Sequence, residues 1–203
     1  MSIASYSDMQ SLIARRLHRS DLSSYIVDYI TLAEARIYRE MRVRQMETSF
    51  SSAISSGTIS LPTGYLELKH AYLNTSPIAK LQRKDSEWIY AAYPTRSADS
   101  APKFIARDGS TFIFGPYPDT SYTVAGIYFK KLDALSGSNT TNWLITDAPD
   151  LLLYASLVEA ATDLVQDQRV VLWEQKYQQA KREVERQNDS EDVSGSPLQV
   201  TGR

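Results

Sequence analysis

Apolar positions along this chain change period twice. Up to residue 44 they recur every three or four residues, from there to 146 they alternate in short runs, and from 147 to 188 the helical spacing returns. Ser7-Asp8-Met9-Gln10 has the spacing of a capping box and predicts a helix start. The helix it opens carries Met9, Leu12, Ile13 and Leu17 on one face. Asp21 suits the N-cap of a second helix, with Leu22, Ile26, Tyr29, Ala33, Ile37 and Met41 at helical spacing. The short link Arg19-Ser20 implies that the two helices fold back on each other.

Beyond Arg44, serine, threonine, glycine and proline punctuate short alternating runs. Phe50 to Ile54, Thr58 to Leu61, Leu66 to Leu73 and Tyr122 to Lys131 read as strands, with turns at Ser56-Gly57 and Pro62-Thr63-Gly64. Phe104 to Arg107 and Thr111 to Phe114 flank Asp108-Gly109, a hairpin signal. Asp85 to Tyr93 reads as one short helix stopped by Pro94, and Gly115-Pro116-Tyr117-Pro118-Asp119 as a loop.

Trp143 and a short extended run lead into Asp147-Ala148-Pro149-Asp150, where Asp147 or its neighbour is placed to cap a helix and proline fits the first turn. That helix carries Leu151, Leu152, Leu153, Tyr154, Leu157, Val158, Leu164 and Val165, apolar on nearly every side, so other elements or other subunits must enclose it. A fourth helix, about Gln168 to Gln187, has a narrow seam of Val170, Trp173, Tyr177, Ala180 and Val184. Its expected outer face is Glu174, Lys176, Lys181, Arg182, Glu183 and Glu185. From Asn188 onward the chain is polar and aperiodic and is expected to be disordered alone, with Val193, Leu198 and Val200 as its sizeable apolar anchors.

The fold class is therefore α+β: a helical scaffold of two hairpins, N- and C-terminal, with an inserted antiparallel β-rich module and an extended C-terminal tail. The expected divisions are residues 1–44, 45–146, 147–188 and 189–203.

Composition removes function classes rather than adding one. A net charge of −2 over 203 residues gives no global case for a nucleic-acid or membrane binder. With no cysteine, thiol catalysis, disulfides and iron–sulfur clusters are excluded, and two histidines leave no histidine-rich metal site. His18 reads as a surface residue near a helix end, and His70, in an apolar strand without a partner histidine, as no ligand. The N-terminal region lacks the apolar core of a signal peptide, being interrupted by Arg15, Arg16 and His18, and no stretch has membrane-span length.

Neither a Gly-rich phosphate loop, a serine nucleophile elbow nor a kinase signature occurs, so no catalytic residue, metal or cofactor is expected. Glu159 and Asp163, four apart on one helix, are the nearest approach to an acid–base pair, and ion pairing is the ordinary use of such carboxylates. Arg36, Arg39 and Arg42 recur at spacing three and form a candidate basic stripe for a DNA channel or a neighbouring subunit, against the plainer reading of a solvated face. Among 13 tyrosines, Tyr90, Tyr93 and Tyr117 lie beside loops and are the better interface candidates.

The order of these pieces resembles the phage head-to-tail adaptor family. The resemblance rests on two N-terminal helices, a β-rich insert, Trp143 before Asp147-Ala148-Pro149-Asp150-Leu151, and a last helix containing Trp173. Leu61-Pro62-Thr63-Gly64-Tyr65, Gly115-Pro116-Tyr117-Pro118-Asp119 and Tyr128-Phe129-Lys130-Lys131-Leu132 also match, so that the pieces span most of residues 7–185. The resemblance implies a virion protein, assembled in the host cytoplasm, that forms a ring of usually twelve copies below the portal protein.

It further implies that the ring extends the DNA channel, passes genomic DNA without sequence-specific binding, and offers a platform for tail nozzle or tail-fibre proteins, with no membrane involved. On that reading Val193, Leu198 and Val200 dock on the portal, and Trp143, Leu151, Trp173 and Tyr177 serve the scaffold or subunit interface. Tyr90, Tyr93 and Tyr117 then face the tail proteins. The alternatives are a virion-associated cell-wall hydrolase and a neck or head-completion protein without portal contact.

Overall fold

The computed structural model describes residues 3–19, 21–54, 56–131, 133–161, 164 and 168–193, with side chains to Glu191. In chain order the elements are α1 (Tyr6–Leu17), α2 (Ile26–Glu40), β1 (Glu47–Ile54), β2 (Thr58–Ser60), β3 (Tyr65–Leu73), β4 (Ala79–Arg83) and α3 (Ser86–Ala92). There follow β5 (Phe104–Asp108), β6 (Thr111–Gly115), β7 (Tyr122–Lys130), α4 (Trp143–Thr146), α5 (Pro149–Ala160) and α6 (Val170–Val193). The class is α+β, as the change of period predicts. The chain forms two compact units, Met1–Gln45 with Leu132–Arg203, and Met46–Lys131.

In the helical unit α5 is the central element and packs against α1, α2, α4 and α6. Leu151, Leu152, Leu153, Ala155, Leu157 and Ala160 are all buried, so the chain's own helices enclose its all-round apolar surface. Pro149 occupies the first turn as predicted, but Ala148 holds the cap position and no side chain bonds there. The helix stops at Ala160; Leu164 lies in a bend beyond it, and Val165 falls outside the described residues.

Three starts differ from expectation. The cap of α1 is Ser5 rather than Ser7: Ser5 Oγ accepts the Asp8 N–H at 3.3 Å, and the Asp8 carboxylate accepts the Ala4 N–H at 3.2 Å. α2 begins after Tyr25, because Arg19 takes the Asp21 carboxylate at 2.6 Å and residues 21–25 form a turn. The run after Trp143 is helical, not extended, since the Asn142 side-chain oxygen accepts from the Leu144 and Ile145 amides.

Residues before α4, read from the sequence as the end of the β-rich segment, are held by the helices. Glu34, buried on α2, accepts from the Leu135 amide at 3.3 Å and from Asn142 Nδ2 at 2.9 Å, and the Tyr6 amide donates to the Thr140 carbonyl at 2.8 Å. α6 runs to Val193, six residues beyond the predicted end. Asn188 Oδ1 accepts the Arg44 amide at 2.8 Å, and Glu191 stands 3.8 Å from the Arg44 guanidinium.

The β unit is a seven-stranded sheet of order β1-β7-β3-β4-β5-β6-β2, antiparallel except for β4 beside β5. The predicted hairpin is present, with Asp108 opposite Thr111 and Gly109 at φ +57° in the turn. Ile54, Leu68, Leu73, Phe112, Phe114 and Val124 form the main core, and Ile89 of α3 packs on Ala106 and Ile113 from the other face. β4 was not anticipated. Only Leu81 of its five residues is buried, too few apolar positions to show alternation.

β4 is also short. It pairs with β3 over Ala71–Leu73 and with β5 only at Gln82 and Arg83. Past that point Asp85, at φ −79° and ψ 152°, turns the chain into α3.

Candidate functional site

Two surfaces gather the polar side chains that the sequence singled out, one in each unit. In the helical unit Arg36 joins α2 to α6. Its Nη1 and Nη2 donate to the two Glu174 oxygens at 3.1 and 2.7 Å, a bidentate pair, while its Nε donates to Glu40 at 3.0 Å. Its Cζ lies 4.3 Å from the centre of the Tyr177 ring. Glu40 also accepts from the Tyr177 hydroxyl at 2.8 Å and from Lys181 Nζ at 3.0 Å.

Burial works against the Glu40 charge, yet the hydrogen bonds from Lys181, Tyr177 and Arg36 outweigh it and hold the carboxyl at about 2. Arg36 likewise lowers Glu174, and burial with the Glu40 charge pushes the Tyr177 hydroxyl up.

The arrangement is a clasp between helices and takes Arg36 out of the basic stripe. Arg39 is exposed, and Arg42 Nη1 turns back to the Tyr38 and Met41 carbonyls at 2.7 Å each. Positions three apart drift by about 60° around a helix, which separates Arg36 from Arg39, and Arg42 lies beyond the end of α2. Glu174 and Lys181, expected on the outer face of α6, face α2 instead. Trp143, Leu151, Trp173 and Tyr177 lie buried in this unit's own core. Of the portal-docking candidates, Val193 ends α6 with its side chain undescribed, and Leu198 and Val200 lie outside the described residues.

In the β unit two of the three loop tyrosines, Tyr90 and Tyr117, flank one residue that the sequence reading missed. Arg96 lies 5.8 Å from the Tyr90 ring and 5.2 Å from the Tyr117 ring, and donates to the Phe114 carbonyl at 2.8 Å. Tyr90 is exposed and its hydroxyl donates to Asp108 at 2.7 Å. Tyr117 covers Gly57, whose φ of +68° admits no ordinary side chain and where a Cβ would stand 2.5 Å from the ring. Tyr93 packs against the pair formed by Trp88 and Phe104, with ring centres 6.3 and 6.2 Å away.

Beside α3 opens a cleft of about 590 Å³, in the size range of ligand sites. Tyr65, Glu67, Arg83, Lys84, Trp88 and Arg107 are among its lining. Lys84 Nζ sits 4.9 Å over the Trp88 ring and Arg107 Cζ 5.5 Å over Tyr65. None of these six was read as a site residue, Tyr65 entering only as the end of a turn motif; the pair Arg83-Lys84 ahead of Asp85 and Trp88 was the available signal.

No group of three metal-binding side chains occurs among the described residues, and no helix among them is long and apolar enough to cross a membrane. His18 is exposed at the left-handed end of α1, and His70 stacks on Tyr72 at 6.4 Å. Glu159 is half-buried on α5, whereas Asp163 lies outside the described residues.

Against known families, the model described as SU10 adaptor protein matches residues 4–201, nearly the whole chain. No curated protein matches the chain.

Proposed function

The chain belongs to the SU10 adaptor protein family, and from that premise we propose that it is a head-to-tail adaptor of a phage virion. It forms a ring below the portal, extends the DNA channel and gives tail proteins their attachment site. The observation that carries this reading is the extent of the family match, which takes in both units and the C-terminal segment. Membership points to a structural rather than a catalytic role.

Three surfaces share the work. Neighbouring copies meet through the helical unit, where Tyr25, Leu32, Val171 and Leu172 stand more than half exposed, at 52, 52, 66 and 53 %. The C-terminal segment, with Val193, Leu198 and Val200, docks on the portal. The β unit offers Tyr90, Tyr93 and Tyr117 to the tail proteins. A net charge of −2 fits a channel that lets DNA slide.

Sedimentation of the purified chain, alone and with the portal ring of its own phage, tests the reading. We expect stoichiometric co-sedimentation with the portal. A chain that stays a free monomer beside an intact portal ring overturns it.

A further inference from the structure

The cleft of the β unit lies where the sheet is incomplete. Along β3, Ala71–Leu73 have β4 on one side and β7 on the other, whereas Tyr65 to His70 have β7 alone among the described residues. Along β5, Ala106 to Asp108 have β6 on one side and, among the described residues, no strand on the other. Both open edges border the cleft, in the line β4 would follow had Asp85 not turned it into α3. A strand edge without a neighbouring strand turns its outward amides and carbonyls to whatever fits beside it.

The structure already fills one of these positions with a side chain. Arg83 Nη1 donates to the Leu68 carbonyl at 2.6 Å, the bond that a neighbouring strand's amide would otherwise make. Around the gap stand three cations, Arg83, Lys84 and Arg107, against two carboxylates, Glu67 and Asp85. Lys84 and Arg107 are exposed and held over the rings of Trp88 and Tyr65, so their aromatic supports also offer apolar surface.

We propose that this cleft binds an extended acidic segment of a partner protein, which adds to the sheet as a strand between β3 and β5. The backbone of the segment pairs with the open edges, its carboxylates meet Lys84 and Arg107, and its apolar side chains lie on Trp88 and Tyr65. Strand addition draws affinity from main-chain bonds and specificity from alternate side chains. A nucleic acid fits less well, because it has no backbone amide to give a strand edge. The proposal goes beyond the adaptor reading, since it needs neither a ring nor a portal.

The test uses the full chain and a fluorescent eight-residue peptide of repeated Glu-Glu-Val-Val, which gives each face of the strand both carboxylates and apolar side chains, with binding read by anisotropy. Binding is expected, and is expected to weaken by about tenfold or more in Lys84→Glu and in Arg107→Glu. The same loss is expected when alternate peptide amides are N-methylated, which removes strand pairing and leaves the charge. A lysine–valine peptide is expected not to bind.

Circular dichroism reports that each variant is folded, and should Arg107→Glu unfold, Lys84→Glu and Lys84→Ala carry the test. No binding at millimolar peptide, equal binding to the charge-reversed variants, equal binding of the N-methylated peptide, or displacement by a single-stranded oligonucleotide would each overturn the proposal.

Discussion

At the scale of single residues, the side chain with most at stake is Glu40. It receives three donors from two helices, and its carboxyl is held at about 2 instead of the ordinary 4.5. A depressed carboxylate stabilises the fold fully above its unfolded value and loses that contribution as pH falls toward the folded one. The helical unit should therefore lose stability from about pH 5 down to about pH 2, with Glu174 adding to the trend in the same direction. Glu40→Gln is expected to cost about 1 kcal/mol near neutral pH, solvent screening having reduced the effect, and to flatten this acid limb, as read by thermal melts across pH. A limb as steep in the variant as in the parent would show that the clasp is not the cause. Little of this was legible in the sequence. Arg36 drew notice as one of three evenly spaced arginines, but its partner Glu174 is 138 residues away and reads, on its own helix, as a solvated position.

Elements were legible where the signal is local and strong. The helix α5 announces itself by Pro149, Asp150 and an unbroken run of leucines, and the β5–β6 hairpin by Asp108-Gly109 between alternating runs. Short or polar elements were not. α4 is a single turn, too brief for any period, and its one signal was Asn142 as a cap. The start of α1 shows how a cap is missed: Ser5 and Ser7 both stand three residues before a residue that can answer them, Asp8 and Gln10, and only the backbone decides between them. Ser5→Ala should cost about 1 kcal/mol of stability, whereas Ser7→Ala should be nearly neutral, as measured by chemical denaturation. Equal costs would place the cap elsewhere. The cleft was illegible for a different reason: its lining comes from β3, β4, α3, β5 and β6, and its shape follows from where β4 stops.

At the scale of the whole molecule, the question is where the helical unit leaves off and the segment proposed to dock on the portal begins. Composition placed that boundary after residue 188, because polarity rises and periodicity ends there. The structure carries α6 on to Val193, with Asn188 bonded to the Arg44 amide and Glu191 facing the Arg44 guanidinium, so the last turns of α6 belong to the helical unit. The clean test of the docking proposal is therefore a chain ended after Val193. It should keep the parent's helical content and melting temperature while losing co-sedimentation with the portal ring. A chain ended after Gln187 removes Asn188 and Glu191 as well, and should melt lower by an amount typical of a lost cap and an exposed ion pair, about 1 kcal/mol. Loss of portal binding in the shorter chain alone would mean that the α6 end, and not the segment beyond it, makes the contact. Retained binding in both would remove the C-terminus from the docking surface and leave the exposed apolar residues of α2 and α6 as the place to search.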